Sequence, residues 1–370
     1  MCNKIDYMSL AIEEAKKGIG YTSPNPVVGC VIVKNNSIIA TGYHQKHGGP
    51  HAEVNALAYC REKNIDTTGA TMYVTLEPCN HTGKTPPCSQ AIIDAKISRV
   101  VIAVLDPNEH ASGGYKTLQQ AGIEVQLNIL KEEATELNEI FFHYINTGLP
   151  FVLQKYAMTL DGKIATHTGA SKYITGKESL ERVHQDRHKH TAIMVGVGTV
   201  VDDDPKLNCR TPKNPVHPVR IICDTNLRTP VSSHVVQTAK EIKTIIATAI
   251  TDSSKQAIYL NYGVEIITVP KDKNIGIDLV YLMKELGNYG IDSILLEGGS
   301  QLHWSALNSG IVNKINAYIA PKIFGGSTAK SPIGGMGVNE PHQAFTLTNI
   351  KTHVLGQDYM IEGYPKCSRE

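Results

Sequence analysis

His51 and Glu53 stand two residues apart, and Cys79 and Cys88 follow, separated by a loop of eight residues that ends in Pro86-Pro87. Zinc prefers nitrogen and thiolate donors in a tetrahedron, and a catalytic site keeps three protein ligands and leaves one position for water. His51, Cys79 and Cys88 supply that count. Glu53 is then the candidate catalytic residue, a carboxylate that takes a proton from water and passes it to a leaving amine. The ion's part in this chemistry is to lower the pKa of that water from about 15.7 to about 7. HxE followed by PC and a second cysteine is a zinc-deaminase pattern, here with a longer gap than the usual CxxC. Plainer readings remain open at this point. A closed structural site would need a fourth ligand, which Cys60, His81, His44 or His47 could provide. The letters could also be a helix start and a turn with no metal, each cysteine being an ordinary buried thiol.

Two further stretches suit an anionic ligand. "AIMVGVGTVVDDDP" (192–205) is an apolar strand run ending in a glycine turn, and "LLEGGS" (295–300) has the same shape before a helix expected from Gln301. Glycine lets the backbone approach a phosphate, and a helix N-terminus offers it free N–H groups. The three-glycine dinucleotide fingerprint is absent, so either turn alone is an ordinary strand-to-helix connection.

The elements that must position these residues fall into two α/β sets. Residues 5–17 have helical apolar spacing at Met8, Ala11, Ile12 and Ala15. "VVGCVIVKNNSIIATGYH" reads as two strands joined at Asn35-Asn36. A helix over 52–63, a strand over 70–76, a helix from near Cys88, a strand over 99–105, a helix over 116–121 and a strand over 123–128 follow. "KEEATELNEIFFHYINTG" reads as one closing helix. Gly148-Leu149-Pro150 separates a first domain, 1–146, from a second, 151–370, in which strands recur at "FVLQKYAMTL", "TAIMVGV", "PVRIICD", "KTIIATA", "VEIITV", "DSILLEG" and "KINAYIAPKIF". A chain of 370 residues is too long for one typical core.

Composition narrows the function classes. Apolar residues make up 41% and charged residues 19%, as in soluble globular proteins. No run of about eighteen apolar residues indicates a membrane span. MCNKIDYMSL does not read as a secretion signal, so the cytoplasm is the expected compartment. Eight scattered cysteines are there expected as free thiols or metal ligands. Residues 1–150 carry 12 Lys/Arg and 15 Asp/Glu, against a net charge of +1 for the whole chain, a poor start for a nucleic-acid binder.

"PNPVVGCVIV" (24–33), "HAEVNAL" (51–57) and "EPCNHTGKTPPC" (77–88) closely resemble the deaminase domain of the bifunctional deaminase/reductase family of riboflavin biosynthesis. "KYAMTLDGKIAT" (155–166), "SKYITG" (171–176), "MVGVGTVVDDDPKLNCR" (194–210), "LLEGGSQLHWSAL" (295–307) and "APKIFGG" (320–326) resemble its reductase domain, in the same order. The resemblance implies an α/β chain: an N-terminal cytidine-deaminase-like three-layer domain and a C-terminal dihydrofolate-reductase-like domain. It implies Zn2+ and NADPH as cofactors, and as substrate a diaminopyrimidinone carrying a phosphoribosylamino group. The first domain would hydrolyse the ring amine at C2, and the second would reduce the ribosyl group to ribityl. Asn25 matches the family's pyrimidine-pocket asparagine. Ala157, Tyr173, Thr199, Asp203, Thr225, Gly299, Ser300, Gln301, Leu302, His303, Trp304 and Ser305 are implied to line the NADPH site. Ser171, Arg187, Leu207, Arg210 and Glu297 are implied to hold the substrate. Tyr173 stands where a tryptophan is common and Thr159 where a serine is common. A homo-oligomer is expected by family analogy, with neither membrane nor nucleic-acid partner. Two competing expectations are a zinc deaminase of another nucleobase or nucleoside with an inactive second half, which would bind no NADPH, and a zinc-stabilised nucleic-acid binder, which would leave Glu53 unused.

Overall fold

Asp6 caps the first helix, α1 (Tyr7–Lys16), by accepting from the backbone N–H groups of Met8 and Ser9, and the apolar stripe Met8, Ala11, Ile12 and Ala15 is buried. The computed structural model describes residues 6–81, 86–212, 215–272 and 276–367 and divides into two units, Met1–Gly148 and Leu149–Glu370. In the first unit α1 is followed by β1 (Gly29–Lys34), β2 (Ser37–Tyr43), α2 (Ala52–Glu62), β3 (Thr71–Leu76), α3 (Cys88–Asp94), β4 (Arg99–Val104), α4 (Gly114–Gln120) and β5 (Glu124–Leu127). Asn35 and Asn36 take φ of 51° and 59° in the tight turn between β1 and β2, the geometry that a two-residue hairpin needs. The sheet order is β2-β1-β3-β4-β5, antiparallel across β2, β1 and β3 and parallel from β3 onward.

Two close approaches define the layers. A Cβ on Gly29 would fall 1.9 Å from the Ala11 carbonyl oxygen of α1, and one on Gly42 would fall 2.5 Å from that of Ala52 in α2. Gly42 pairs with Cys30, the neighbour of Gly29, so the two glycines face opposite sides of the sheet. Helices α1 and α2 therefore cover opposite faces, and the unit has three layers.

The closing helix expected over 131–148 is two helices, α5 (Lys131–Leu137) and α6 (Glu139–Thr147). Asn138 breaks it, with φ −106° and ψ 23°. Its buried amide accepts from the Val27 N–H at 2.9 Å and donates to the Val27 carbonyl at 2.9 Å, as a paired strand would. A helical pattern in sequence cannot anticipate that an amide gains more by leaving the helix to satisfy a distant backbone. Asn138→Ala leaves both Val27 groups buried without partners, at about 1–3 kcal/mol each. A lowered melting temperature of the first unit, with the second unit's melting unchanged, is the expected result in scanning calorimetry.

The second unit comprises β6 (Phe151–Thr159), α7 (Lys177–Lys189), β7 (Ala192–Gly196), α8 (Val197–Asp203), β8 (Val219–Cys223), α9 (His234–Gln237), β9 (Thr244–Thr248), α10 (Ser253–Leu260), β10 (Glu265–Thr268), α11 (Leu279–Asn288), β11 (Ser293–Gly298), α12 (Ser300–Asn308), β12 (Lys314–Ala320), β13 (Phe345–Leu355) and β14 (Asp358–Cys367). Its sheet runs β10-β9-β8-β7-β11-β6-β12-β14-β13, parallel from β10 to β12 and antiparallel at β14 and β13. The apolar runs that read as strands in sequence form β6 to β12, mostly buried where helices flank them, with β10 a partly exposed edge. The final hairpin is the element that the apolar reading does not reach. β13 is an edge strand, mostly exposed, and lacks an apolar alternation.

Candidate functional site

Three side chains of the first unit converge. His51 precedes α2, Cys79 follows β3, and Cys88 opens α3. His51 Nδ1 lies 3.3 Å from Cys88 Sγ and 3.4 Å from Cys79 Sγ, and the three donor atoms lie within 4.8 Å of one another. Bonds of about 2.0 Å to nitrogen and 2.3 Å to sulfur at a tetrahedral angle put such atoms about 3.5 Å apart, so this donor set fits zinc. Among the described residues no other His, Cys, Asp or Glu joins the group. Cys79 is pushed down to about 4, first by the hydrogen bond from the Cys88 thiol and then by that from His51, while Cys88 is pushed up by the same contact. The Cys88 N–H also donates to Cys79 Sγ. Upstream, Glu77 anchors the segment that carries Cys79. Its carboxylate accepts from the N–H groups of Asp106 at 3.1 Å, Gly113 at 2.8 Å and Tyr115 at 3.2 Å.

Glu53, on the first turn of α2, borders the same cleft of about 240 Å³ and is buried. Its Oε2 has no hydrogen-bond partner. Burial raises its pKa to about 7, with His51 opposing. Asn25 lines the cleft, and its amide nitrogen lies 3.3 Å from His44 Nε2. His44 Nδ1 lies 3.0 Å from the Pro50 carbonyl oxygen, which can only accept. Nδ1 therefore carries the proton, Nε2 accepts, and the Asn25 NH2 group donates to it. That chain fixes which way the Asn25 amide points. Burial lowers the His44 pKa, consistent with a neutral ring. His44 thus orients Asn25 and is no fourth ligand. Asp106 and Asn108, just beyond β4, complete the cleft. Burial raises Asp106 to about 6, with Glu77 and Cys79 adding to it. Their one sequence cue is a place after the carboxyl end of a parallel strand, where α/β sheets bind ligands. Thr82 to Thr85 of the loop between the two cysteines lie outside the described residues.

In the second unit a cleft of about 750 Å³ runs along the carboxyl ends of β7, β8 and β11. Both glycine turns border it. Gly298 has φ 129°, which only glycine adopts readily. Thr199, Asp203, Thr225, Gly299, Ser300, Gln301, Leu302 and Ser305 line the cleft, and so does Ser171, which donates to Asp203 at 3.3 Å.

Four residues implied for the NADPH site are not brought into this lining. His303 is buried with Nδ1 2.9 Å from the Pro332 carbonyl oxygen, and Trp304 packs edge-on to Phe345 at 6.2 Å. An α-helix turns about 100° per residue, so a continuous block on α12 cannot all face one cleft. Ala157 pairs with Tyr318 across β6 and β12 and packs with Val183 and Met360. Tyr173 is 73% exposed and does not line the cleft, although Ser171 does.

A separate charged cluster lies between α7 and β11. Arg187 donates to Glu297 through Nε at 2.7 Å and Nη2 at 2.8 Å, and through Nη1 to the Asn208 carbonyl at 2.9 Å. Three of its five N–H donors are thus engaged within the protein. Burial would raise Glu297, but Arg187 and then Lys155 outweigh it and hold it at about 2. Lys155, 5.7 Å from the Tyr318 ring, adds an ammonium that sequence spacing does not single out. Leu207 is buried in a core cluster. Arg210 is exposed, and its Nε donates to His184 Nε2 at 3.0 Å. Burial, then Arg187, lowers His184 to about 4, which keeps it neutral and able to accept.

The folds and sites define a zinc-type deaminase unit joined in one chain to an α/β reductase unit. Residues 1–104 match the cytidine and deoxycytidylate deaminase zinc-binding region, and residues 150–361 match the RibD C-terminal domain. The riboflavin biosynthesis protein RibD of Actinobacillus pleuropneumoniae is 54% identical over 97% of this chain and 94% of its own length. That of Aquifex aeolicus is 44% identical over 98% and 99%. The solved diaminohydroxyphosphoribosylaminopyrimidine deaminase/5-amino-6-(5-phosphoribosylamino)uracil reductase of Thermotoga maritima matches with a TM-score of 0.86 and 37% identity, covering 97% of this chain and 98% of that one. The chain belongs to the RibD family of bifunctional riboflavin-biosynthesis enzymes.

Proposed function

We propose that this chain deaminates 2,5-diamino-6-(5-phosphoribosylamino)pyrimidin-4(3H)-one in its first unit and reduces the product's ribosyl group to ribityl in its second. The observation that carries the deaminase reading is the His51, Cys79, Cys88 donor set beside a buried carboxylate that is not part of it. Zinc held by those three residues supplies an acidified water. Asn25, oriented by His44, reads the pyrimidine edge. Glu53 takes the proton from the attacking water and delivers it to the departing ring amine. Water and the C2 amine become a C2 carbonyl and ammonia. A pKa near 7 suits a group that must both accept and release a proton.

For the reductase, NADPH supplies the hydride. The N–H groups at the start of α12, beside Gly299, suit its diphosphate. Arg210 offers its remaining guanidinium donors to the substrate phosphate, with His184 holding Nε. Arg187 and Glu297 stiffen the wall on which Asn208 and Arg210 sit. Hydride transfer then rests mainly on positioning. Among the described residues no helix is long and apolar enough to cross a membrane. The free thiols at Cys30, Cys60, Cys79, Cys88, Cys209 and Cys223 suit a reducing compartment, for which the cytoplasm is our assignment. The exposed edge of β13 and family analogy support a homo-oligomer.

The test is a coupled assay on the purified, zinc-loaded chain. One ammonia released and one NADPH consumed per substrate is the expected stoichiometry. Ammonia without NADPH consumption would instead favour a deaminase with an inactive second unit.

A further inference from the structure

The cleft of the second unit has two ends. Its middle is formed by the turns after β7, at Gly196 and Gly198, and after β11, at Gly298 and Gly299. The charged cluster of Lys155, Arg187 and Glu297 lies on the β6 and β11 side of those turns. In the sheet order, β8 lies on the other side of β7. A dinucleotide whose diphosphate rests on the glycine turns, with its nicotinamide toward the charged cluster, therefore carries its adenosine over the end of β8. Thr225, Arg228, Gly276 and Ile277 line that end.

Arg228 is unusual in how it is held. Its loop is fixed on both flanks. Buried Asp224 accepts from the Thr229 N–H and hydroxyl, each at 2.7 Å, and the Tyr259 hydroxyl donates to the carbonyls of Leu227 at 3.2 Å and Thr229 at 2.8 Å. The Arg228 side chain itself is exposed and, among the described residues, makes no ion pair or hydrogen bond. The other cation on the cleft, Lys330, is paired with Asp202 at 3.1 Å. The acid nearest in sequence to Thr225, Asp224, is buried, with Oδ2 accepting from Thr229 and Oδ1 closed off from solvent, so it does not present a carboxylate to a ribose hydroxyl.

We propose that Arg228 is the specificity-determining residue for the phosphorylated dinucleotide, its guanidinium pairing with the adenosine 2′-phosphate beside the Thr225 hydroxyl. This rests on reading the cleft as the cofactor site. An NAD-selective site uses an acid to bind the ribose 2′-hydroxyl, whereas an arginine there accommodates the 2′-phosphate. A guanidinium matches a phosphate with a planar fork of donors, and a rigid loop spares it the cost of ordering its backbone on binding.

The test measures dissociation constants of NADPH and NADH, and of the fragments adenosine 2′,5′-bisphosphate and adenosine 5′-monophosphate, for the full wild-type chain, Arg228→Ala and Arg228→Lys. Arg228→Ala is expected to weaken NADPH and the bisphosphate by about 10- to 100-fold, the size of losing hydrogen bonds to a charged group. NADH and the monophosphate should bind as before. Arg228→Lys should recover part of the loss, since it restores the charge without the fork. Undiminished NADPH binding in Arg228→Ala, or equal weakening of NADPH and NADH, would overturn the assignment alone. A wild-type chain that binds neither dinucleotide would overturn the reading of the cleft, and the assignment with it.

Discussion

Glu53→Gln is expected to lower ammonia release by about 10²- to 10⁴-fold, the range for loss of a general acid–base group, while the variant keeps its zinc. Glutamine matches the shape of glutamate but cannot carry the proton. Because the metal donors are His51, Cys79 and Cys88, with Glu53 outside that set, the ion should not notice the change. The buried, unpartnered Oε2 becomes an amide group in the same place, so folding should change little. Three readouts separate the possibilities: ammonia release, zinc per chain, and NADPH consumption when the deaminated compound is supplied directly. Only the first should fall. Zinc lost together with activity would make Glu53 a ligand and remove the proton-carrying role.

The second large effect concerns the buried ion pair of the reductase unit. Glu297→Gln leaves Arg187 charged, with its side chain 14% exposed and its main counter-charge gone. Breaking a buried pair from one side costs about 3–5 kcal/mol, because the remaining charge stays desolvated. For a unit of this size that lowers the melting temperature on the order of 10 °C. Reductase activity should fall with it, since Arg187 also holds the Asn208 carbonyl beside Arg210. A double variant with apolar residues at both positions should regain much of the stability and none of the activity, separating folding from function. The same pair gives a pH signature. Glu297 is held at about 2 against an ordinary 4.5. A depressed carboxyl pKa contributes stability that is complete above the unfolded value and lost as pH falls through the folded one. Acid destabilisation of the wild-type second unit should therefore include a component between about 4.5 and 2 that Glu297→Gln lacks. An identical acid profile in the two proteins would remove that linkage.

The zinc donors were legible because a metal demands particular atom types. Nitrogen and sulfur in a count of three, with an acid two residues after the histidine, leave few alternatives even before any fold is known. The strands β6 to β12 were equally legible, since a parallel strand covered by helices is mostly apolar, here with polar exceptions such as Gln154 and Lys155 in β6. The break at Asn138 and the edge hairpin β13–β14 were not. At Asn138 the decisive partner, Val27, lies far away in sequence, while β13 is an exposed edge and the buried positions of β14 include the polar Asp358 and Glu362.

The amino-acid sequence by itself determined the chemistry available to this protein: which donors bind an ion, which acid is free to move a proton, and where glycine lets a backbone meet a phosphate. The tertiary structure alone decided which of the implied residues meet. It placed His44 against Asn25, spent the Arg187 fork on Glu297, and turned His303 and Trp304 of α12 into the packing while Ser300, Gln301 and Ser305 met the cleft. The reason is physical. Residue type fixes what an atom can do, but a helix rotates each successive side chain to a new direction, and a buried charge takes its partner from whatever the fold brings within reach.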